Sequence, residues 1–78
     1  MRVRVRLYGS LRRFSLPGTP GLWEGELPPG ARISDLIKKL GADDAEVAIA
    51  ARDGKASRED FEIPEGAEIA LAPPVGGG

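Results

Sequence analysis

The chain has 78 residues, 41% hydrophobic and 29% charged, and its eleven basic and twelve acidic residues leave a net charge of -1. A domain this small buries only about 60% of the surface its unfolded form exposes, which leaves room for one thin core. Cysteine and histidine are both absent, which excludes disulfides, thiolate nucleophiles, imidazole bases and the usual zinc ligands, so no metal site is expected. The near-neutral charge gives no general attraction to nucleic acid or to an anionic membrane. No apolar stretch approaches the roughly 20 residues of a membrane helix. The opening Met-Arg-Val-Arg-Val-Arg also lacks the apolar run of a signal peptide. The expectation is a cytoplasmic single domain.

Residues 2–8 alternate strictly, so Val3, Val5 and Leu7 face a core while Arg2, Arg4 and Arg6 face water, as in a half-buried strand. Turn formers fill 15–21, and Leu22 to Leu27 reads as a second strand broken by Gly25. After Pro28-Pro29-Gly30, Ser34 is placed to cap a helix whose Ile33, Leu36, Ile37 and Leu40 form one apolar stripe. Asp35 and Lys38-Lys39 suit its dipole, and Gly41 marks its stop. Glu46 to Arg52 sets Val47, Ile49 and Ala51 against Glu46, Ala48 and Ala50 as a third strand. Asp53-Gly54 signals a hairpin into a very short strand at Lys55-Ala56. Phe61 and Ile63 anchor the stretch behind it, Pro64-Glu65-Gly66 turns, and Ala67 to Ala72 is a last strand with Ile69 and Leu71 inward. One single-striped helix needs a sheet to cover it, so the fold class is α+β with two layers.

Beyond the last strand come Pro73-Pro74-Val75-Gly76-Gly77-Gly78. The chain therefore divides into a folded domain, 1–74, and a flexible glycine tail, 75–78. Two prolines hold an extended path, and four further residues reach at most about 14 Å beyond them. Glycine has no Cβ, so this end fits a channel too narrow for other residues. An α-carboxylate is ionised at neutral pH and is a poor electrophile until activated, which calls for an activating enzyme and ATP.

These residues resemble the small subunit of molybdopterin synthase and its relatives among the ubiquitin-like sulfur carriers. The resemblance rests on Val5 to Tyr8 with Gly9-Ser10-Leu11-Arg12, on Pro28 to Leu40 leading into the helix, and on Glu65 to Val75 with its Pro-Pro-Val close. It implies a β-grasp, ubiquitin-like fold, a mixed sheet with one helix across one face. It also implies that Gly78 is adenylated at its carboxylate, converted to a thiocarboxylate and carried as 1-thioglycine when loaded. Gly77 and Gly78 would carry the function, with Pro73, Pro74, Val75 and Gly76 as the tail. The implied partners are an adenylating enzyme, the large subunit of molybdopterin synthase, and a sulfur donor such as a cysteine desulfurase or rhodanese. The chain would not be catalytic alone, and no cofactor would be bound, the ATP being used by the adenylating partner. The sequence departs from the family's habit at Ala72, often a large apolar residue, at Asp53, often Asn, and at Gly76, commonly Ser, Ala or Thr.

On the outer face, Ala70 and Ala72 should lie near Tyr8, where the first and last strands run side by side, and form an apolar area for partners at the root of the tail. Arg12 is a further partner contact by resemblance. The Arg2/Arg4/Arg6 stripe reads as a solvated face before it reads as a dock for an acidic partner or RNA. Asp43, Asp44 and Glu46 lack the ligand spacing of a calcium loop. Two other functional classes compete: a carrier for thiamine or tRNA 2-thiouridine synthesis, and a ubiquitin-like modifier joined to lysines. Pro-Pro-Val before the glycines favours the molybdopterin reading.

Overall fold

The computed structural model describes residues 1–57 and 59–74. In chain order the elements are β1 (Arg2–Leu7), a 3-10 helix (Gly9–Phe14), β2 (Leu22–Glu26), α1 (Ile33–Leu40), a 3-10 turn (Asp44–Glu46), β3 (Ile49–Arg52), β4 (Lys55–Ser57) and β5 (Glu68–Ala72). The five strands form one sheet in the order β2-β1-β5-β3-β4. β1 pairs with β5 in parallel and the other pairings are antiparallel. Val3, Val5, Leu7, Ile69 and Leu71 bury on one side, in a cluster with Ile33, Leu36 and Ile37 of α1. This mixed sheet under one helix is the β-grasp arrangement. Among the described residues no helix is long and apolar enough to cross a membrane.

β2 is not broken at Gly25. The strand runs through it, with Gly25 opposite Val3 and Trp23 opposite Val5, so both face the helix side. The Trp23 indole folds along the strand onto Gly25, and a Cβ there would overlap the six-membered ring. Gly25 is thus the seat that lets a half-buried tryptophan cover the core beside an edge strand.

Helix α1 is entered differently from the expectation at Ser34. Arg32 is held extended by a bridge to Glu62, and Ile33 N–H donates to the Phe61 carbonyl at 3.0 Å. Arg32 is therefore the N-cap, and Ser34 already lies inside the first turn. Two carboxylates take up the free N–H groups there. Asp35 accepts from Arg32 N–H at 2.8 Å, and Asp60 accepts from Ser34 N–H at 3.0 Å and from its hydroxyl at 2.9 Å. The Ser34 backbone bond foremost, with help from the Ser34 hydroxyl and the Arg32 guanidinium, holds the Asp60 carboxyl below its ordinary range against the opposing push of desolvation. Gly41, at φ 92°, ends the helix as its sequence position indicates.

β3 starts later than expected, at Ile49, because Asp44–Glu46 form a 3-10 turn in which Asp43 accepts from Ala45 N–H at 3.3 Å. The face it buries carries Ala50, opposite Leu71, while Ile49 and Ala51 turn outward opposite Ala72 and Ala70. Asp53 at φ 49° and Gly54 at φ 89° close the hairpin to β4.

Two outcomes follow. Replacing a strand glycine by alanine ordinarily gains about 0.5–1 kcal/mol, whereas Gly25→Ala should lower the urea midpoint, because it lifts Trp23 from the core; a raised midpoint would show that the indole seat is not used. Asp60→Ala should lower Tm at neutral pH. Because the folded carboxyl titrates below its unfolded value, that stabilisation is present above about pH 4 and is lost as pH falls through the folded value. The gap in Tm between the two proteins should therefore narrow on acidification, and a gap independent of pH would show that the carboxylate charge plays no part.

Candidate functional site

The site is built where β5 delivers the chain to the edge of the domain. β5 lies between β1 and β3, so the hydrogen bonds of both neighbours fix its end. Tyr8 N–H donates to the Leu71 carbonyl at 3.1 Å, and Ala48 N–H donates to the Ala72 carbonyl at 2.9 Å. Pro73, half-buried, and Pro74, exposed, follow and offer no N–H to any ladder. Val75, Gly76, Gly77 and Gly78, to which the sequence assigns the tail, lie outside the described residues.

Beside this root the outer sheet face forms a shallow groove lined by Tyr8, Ala51 and Ala70, with Arg6, Glu68 and the Asp53-Gly54 turn around it. Tyr8 is 50% exposed, a large apolar surface beside two small residues. The Asp53 carboxylate accepts from Glu68 N–H at 3.1 Å, and Asp53 N–H donates to the Glu68 carbonyl at 3.0 Å, which pins the hairpin against β5. Ala72 extends the same face, with Ile49 as its partner in register. Tyr8, Ala70 and Ala72 are thus brought together, as the side-by-side placement of the first and last strands requires.

Arg12 is placed elsewhere. It lines a separate hollow of the β1–β2 connection with Ser15, Leu16 and Gly21. Sequence reasoning did not assign Ile49 and Ala51 to the site, because Val47 to Ala51 carries no polar residue to mark which side faces outward.

The arginine stripe is occupied by its own carboxylates. Arg4 pairs with Glu24 at 2.9 Å, Arg2 stands 3.4 Å from Glu24 and 3.6 Å from Glu26, and Arg6 pairs with Glu68. Exposed pairs of this kind each contribute only about 0–1 kcal/mol. Their effect here is to cancel the field of the stripe, which leaves the uncharged Tyr8–Ala70–Ala51 area as the distinct part of this face.

With a strand-fixed root, a double proline and an apolar face beside it, the arrangement is that of a domain presenting its end to a partner. A model of the ThiS family matches residues 5–78, from the middle of β1 through the last glycine. The chain belongs to the ThiS family. Its members are ubiquitin-like sulfur carriers, and they generally work with an adenylating enzyme and a partner synthase subunit. No curated protein matches the chain. The ThiS match and the β-grasp sheet agree with the fold and carrier class that the sequence resemblance implied.

Proposed function

We propose that this ThiS-family chain carries sulfur as a thiocarboxylate on Gly78 and donates it to molybdopterin synthesis as the small subunit of molybdopterin synthase. The observation that carries this reading is Pro73-Pro74-Val75 set directly after the centrally clamped β5 and before three glycines. The family match running through Gly78 supports it.

The chemistry follows from the end group. A carboxylate oxygen of Gly78 attacks the α-phosphorus of ATP in the active site of an adenylating enzyme, and pyrophosphate leaves. The persulfide sulfur of a desulfurase or rhodanese then attacks the acyl carbon and AMP leaves, and a thiol reductant cleaves the S–S bond of the acyl disulfide so formed, releasing the donor's thiol. The resulting thiocarboxylate enters the large subunit, where its sulfur passes to the pterin precursor and the Gly78 carboxylate is regenerated. The domain's own side chains take no part in bond making. Their work is to dock and to aim, and the Tyr8, Ala51, Ala70 and Ala72 surface provides the docking.

The test is the intact mass of the protein after incubation with adenylating enzyme, ATP and a sulfur source. A gain equal to the difference between sulfur and oxygen, localised to Gly78, followed by sulfur transfer to a cyclic pterin phosphate on addition of the large subunit, is the expected result. Thiocarboxylate formation without transfer to the pterin would move the acceptor to thiamine or tRNA thiolation, and lysine-linked conjugates in its place would mark a modifier. Deleting Gly78 should abolish loading with Tm unchanged. Ala70→Asp and Ala51→Asp should keep stability within about 0.5 kcal/mol of the parent, as surface changes do, while weakening the complex with the adenylating enzyme in a titration; unaltered affinity in both would remove the docking role of this face.

A further inference from the structure

The 3-10 helix after β1 starts at a glycine whose conformation and surroundings are unusual for reasons the core does not explain. Gly9 has φ 55°, in the left-handed region, and a Cβ built on it would lie 2.8 Å from Pro73 Cγ and 3.3 Å from Pro73 Cδ. Carbon atoms in good contact are about 3.5–4.0 Å apart, so no other residue fits while the proline ring stays where it is. Gly9 itself is exposed, and the buried anchor of its helix is Leu11, two residues on. The close approach is therefore between an exposed turn and the first residue of the tail.

Three constraints converge on that residue. The carbonyls of Leu71 and Ala72 are held from opposite sides by Tyr8 and Ala48. The ring of Pro73 fixes its own φ near -65°. Gly9 supplies the third, a flat backbone surface against which the ring rests.

We infer that Gly9 is a positioning residue for the tail, a seat for Pro73 that sets the direction in which residues 74–78 leave the domain. This rests on the reading of Gly78 as the working group. Tyr8, on the docking face, and Gly9, under the tail's root, are consecutive residues. One peptide unit thus sets the offset between the surface a partner grips and the arm it must receive. The four residues beyond Pro74 span at most about 14 Å, so a turn at their base has to be taken up by bending that shortens their reach, and a reacting group misplaced by about 1 Å can cost up to about a hundredfold in rate.

The experiment uses the full chain with its adenylating enzyme, following pyrophosphate release against carrier concentration for the parent, Gly9→Ala, Gly9→Val, Pro73→Ala and the double variant Gly9→Ala/Pro73→Ala. Gly9→Val should lower kcat about tenfold with KM near the parent value, since the docking face is untouched and only the aim is lost. The double variant should be faster than Gly9→Ala alone, because without the ring the new methyl meets nothing, although the backbone strain at residue 9 is the same in both. Folded Gly9 variants with unchanged kcat, a rise in KM alone, or simple additivity in the double variant would each overturn the inference. Where a Gly9 variant fails to fold, Pro73→Ala is compared with Pro74→Ala, since each frees one proline φ and only the first empties the seat: equal kcat values overturn the inference and a lower kcat in Pro73→Ala supports it.

A readout without the enzyme separates this inference from the functional reading. One-bond Cα–Hα residual dipolar couplings at Pro73 and Pro74 should fit the alignment of the sheet in the parent and depart from it in Gly9→Val. Couplings that do not move overturn the seat whether or not Gly78 is ever adenylated, and a parent that is never adenylated while the couplings move overturns the carrier role and leaves the seat standing.

Discussion

The parallel pairing of β1 with β5 joins the first strand of the chain to the last, at the centre of the sheet. Val5, Ile69 and Leu71 on these two strands are fully buried, as is Leu36 of the helix that covers them. Burying side chains of this size is worth roughly 1.5–3 kcal/mol each, against about 0–1 kcal/mol for each exposed ion pair on the opposite face. Stability therefore resides in contacts between segments far apart in sequence. The ends of the chain cannot separate without dismantling the core, and the strand that carries the tail is among the most firmly held in the molecule.

This arrangement also governs the two faces. On the helix side every buried side chain among the described residues is apolar, and the helix N-terminus is finished by Asp35 and Asp60 at the surface. The periphery of the core is covered by three aromatics, Trp23 folded onto Gly25, Phe61 with Arg52 above its ring at 5.9 Å, and Phe14 with Arg13 above its ring at 4.3 Å. The free edges belong to β2 and to the three-residue β4, and short or charged strands are what a soluble sheet can leave at its edges without inviting another chain to pair. The outer face, by contrast, is graded, from an arginine–glutamate ladder on β1 and β2 to small apolar residues on β5 and β3.

Much of this was legible in the sequence where periodicity and burial agree. β1 announces itself because arginine alternates with valine and leucine, and α1 because its apolar residues fall on one stripe and Gly41 ends it. The third strand was harder, since Val47 to Ala51 contains no polar residue to mark the outer side, and residue size points to the wrong face: Ala50 is the buried residue, opposite Leu71, and Ile49 is turned out. Ser34 is a capping residue by type, but the tertiary bridge between Arg32 and Glu62 starts the helix before it. Gly25 and Gly9 look like breakers in one dimension. Both are seats: Trp23 lies two residues from Gly25 but its fold onto that glycine needs the strand's geometry, and Pro73 is far from Gly9 in sequence. The groove was legible in its Tyr8 and Ala70 wall and not in its Ala51 wall, because nothing in the sequence of β3 marks its outer side.

A carrier that works through a chain end faces opposing demands on entropy. The end must be narrow and adaptable, which glycine provides, yet fixing each backbone residue in a partner's channel costs about 1–2 kcal/mol, with glycine the costliest. Three glycines ordered together would offset much of the affinity of a small docking face. Prolines at 73 and 74 reduce the number of residues still to be ordered, because their φ angles are fixed before any partner arrives. The hydrogen bonds from Tyr8 and Ala48 carry that order back into the sheet. For the proposed carrier role, affinity would come from the fixed surface beside the root, where the uncharged part of the outer face lies at Tyr8, Ala51 and Ala70 rather than along the arginine ladder.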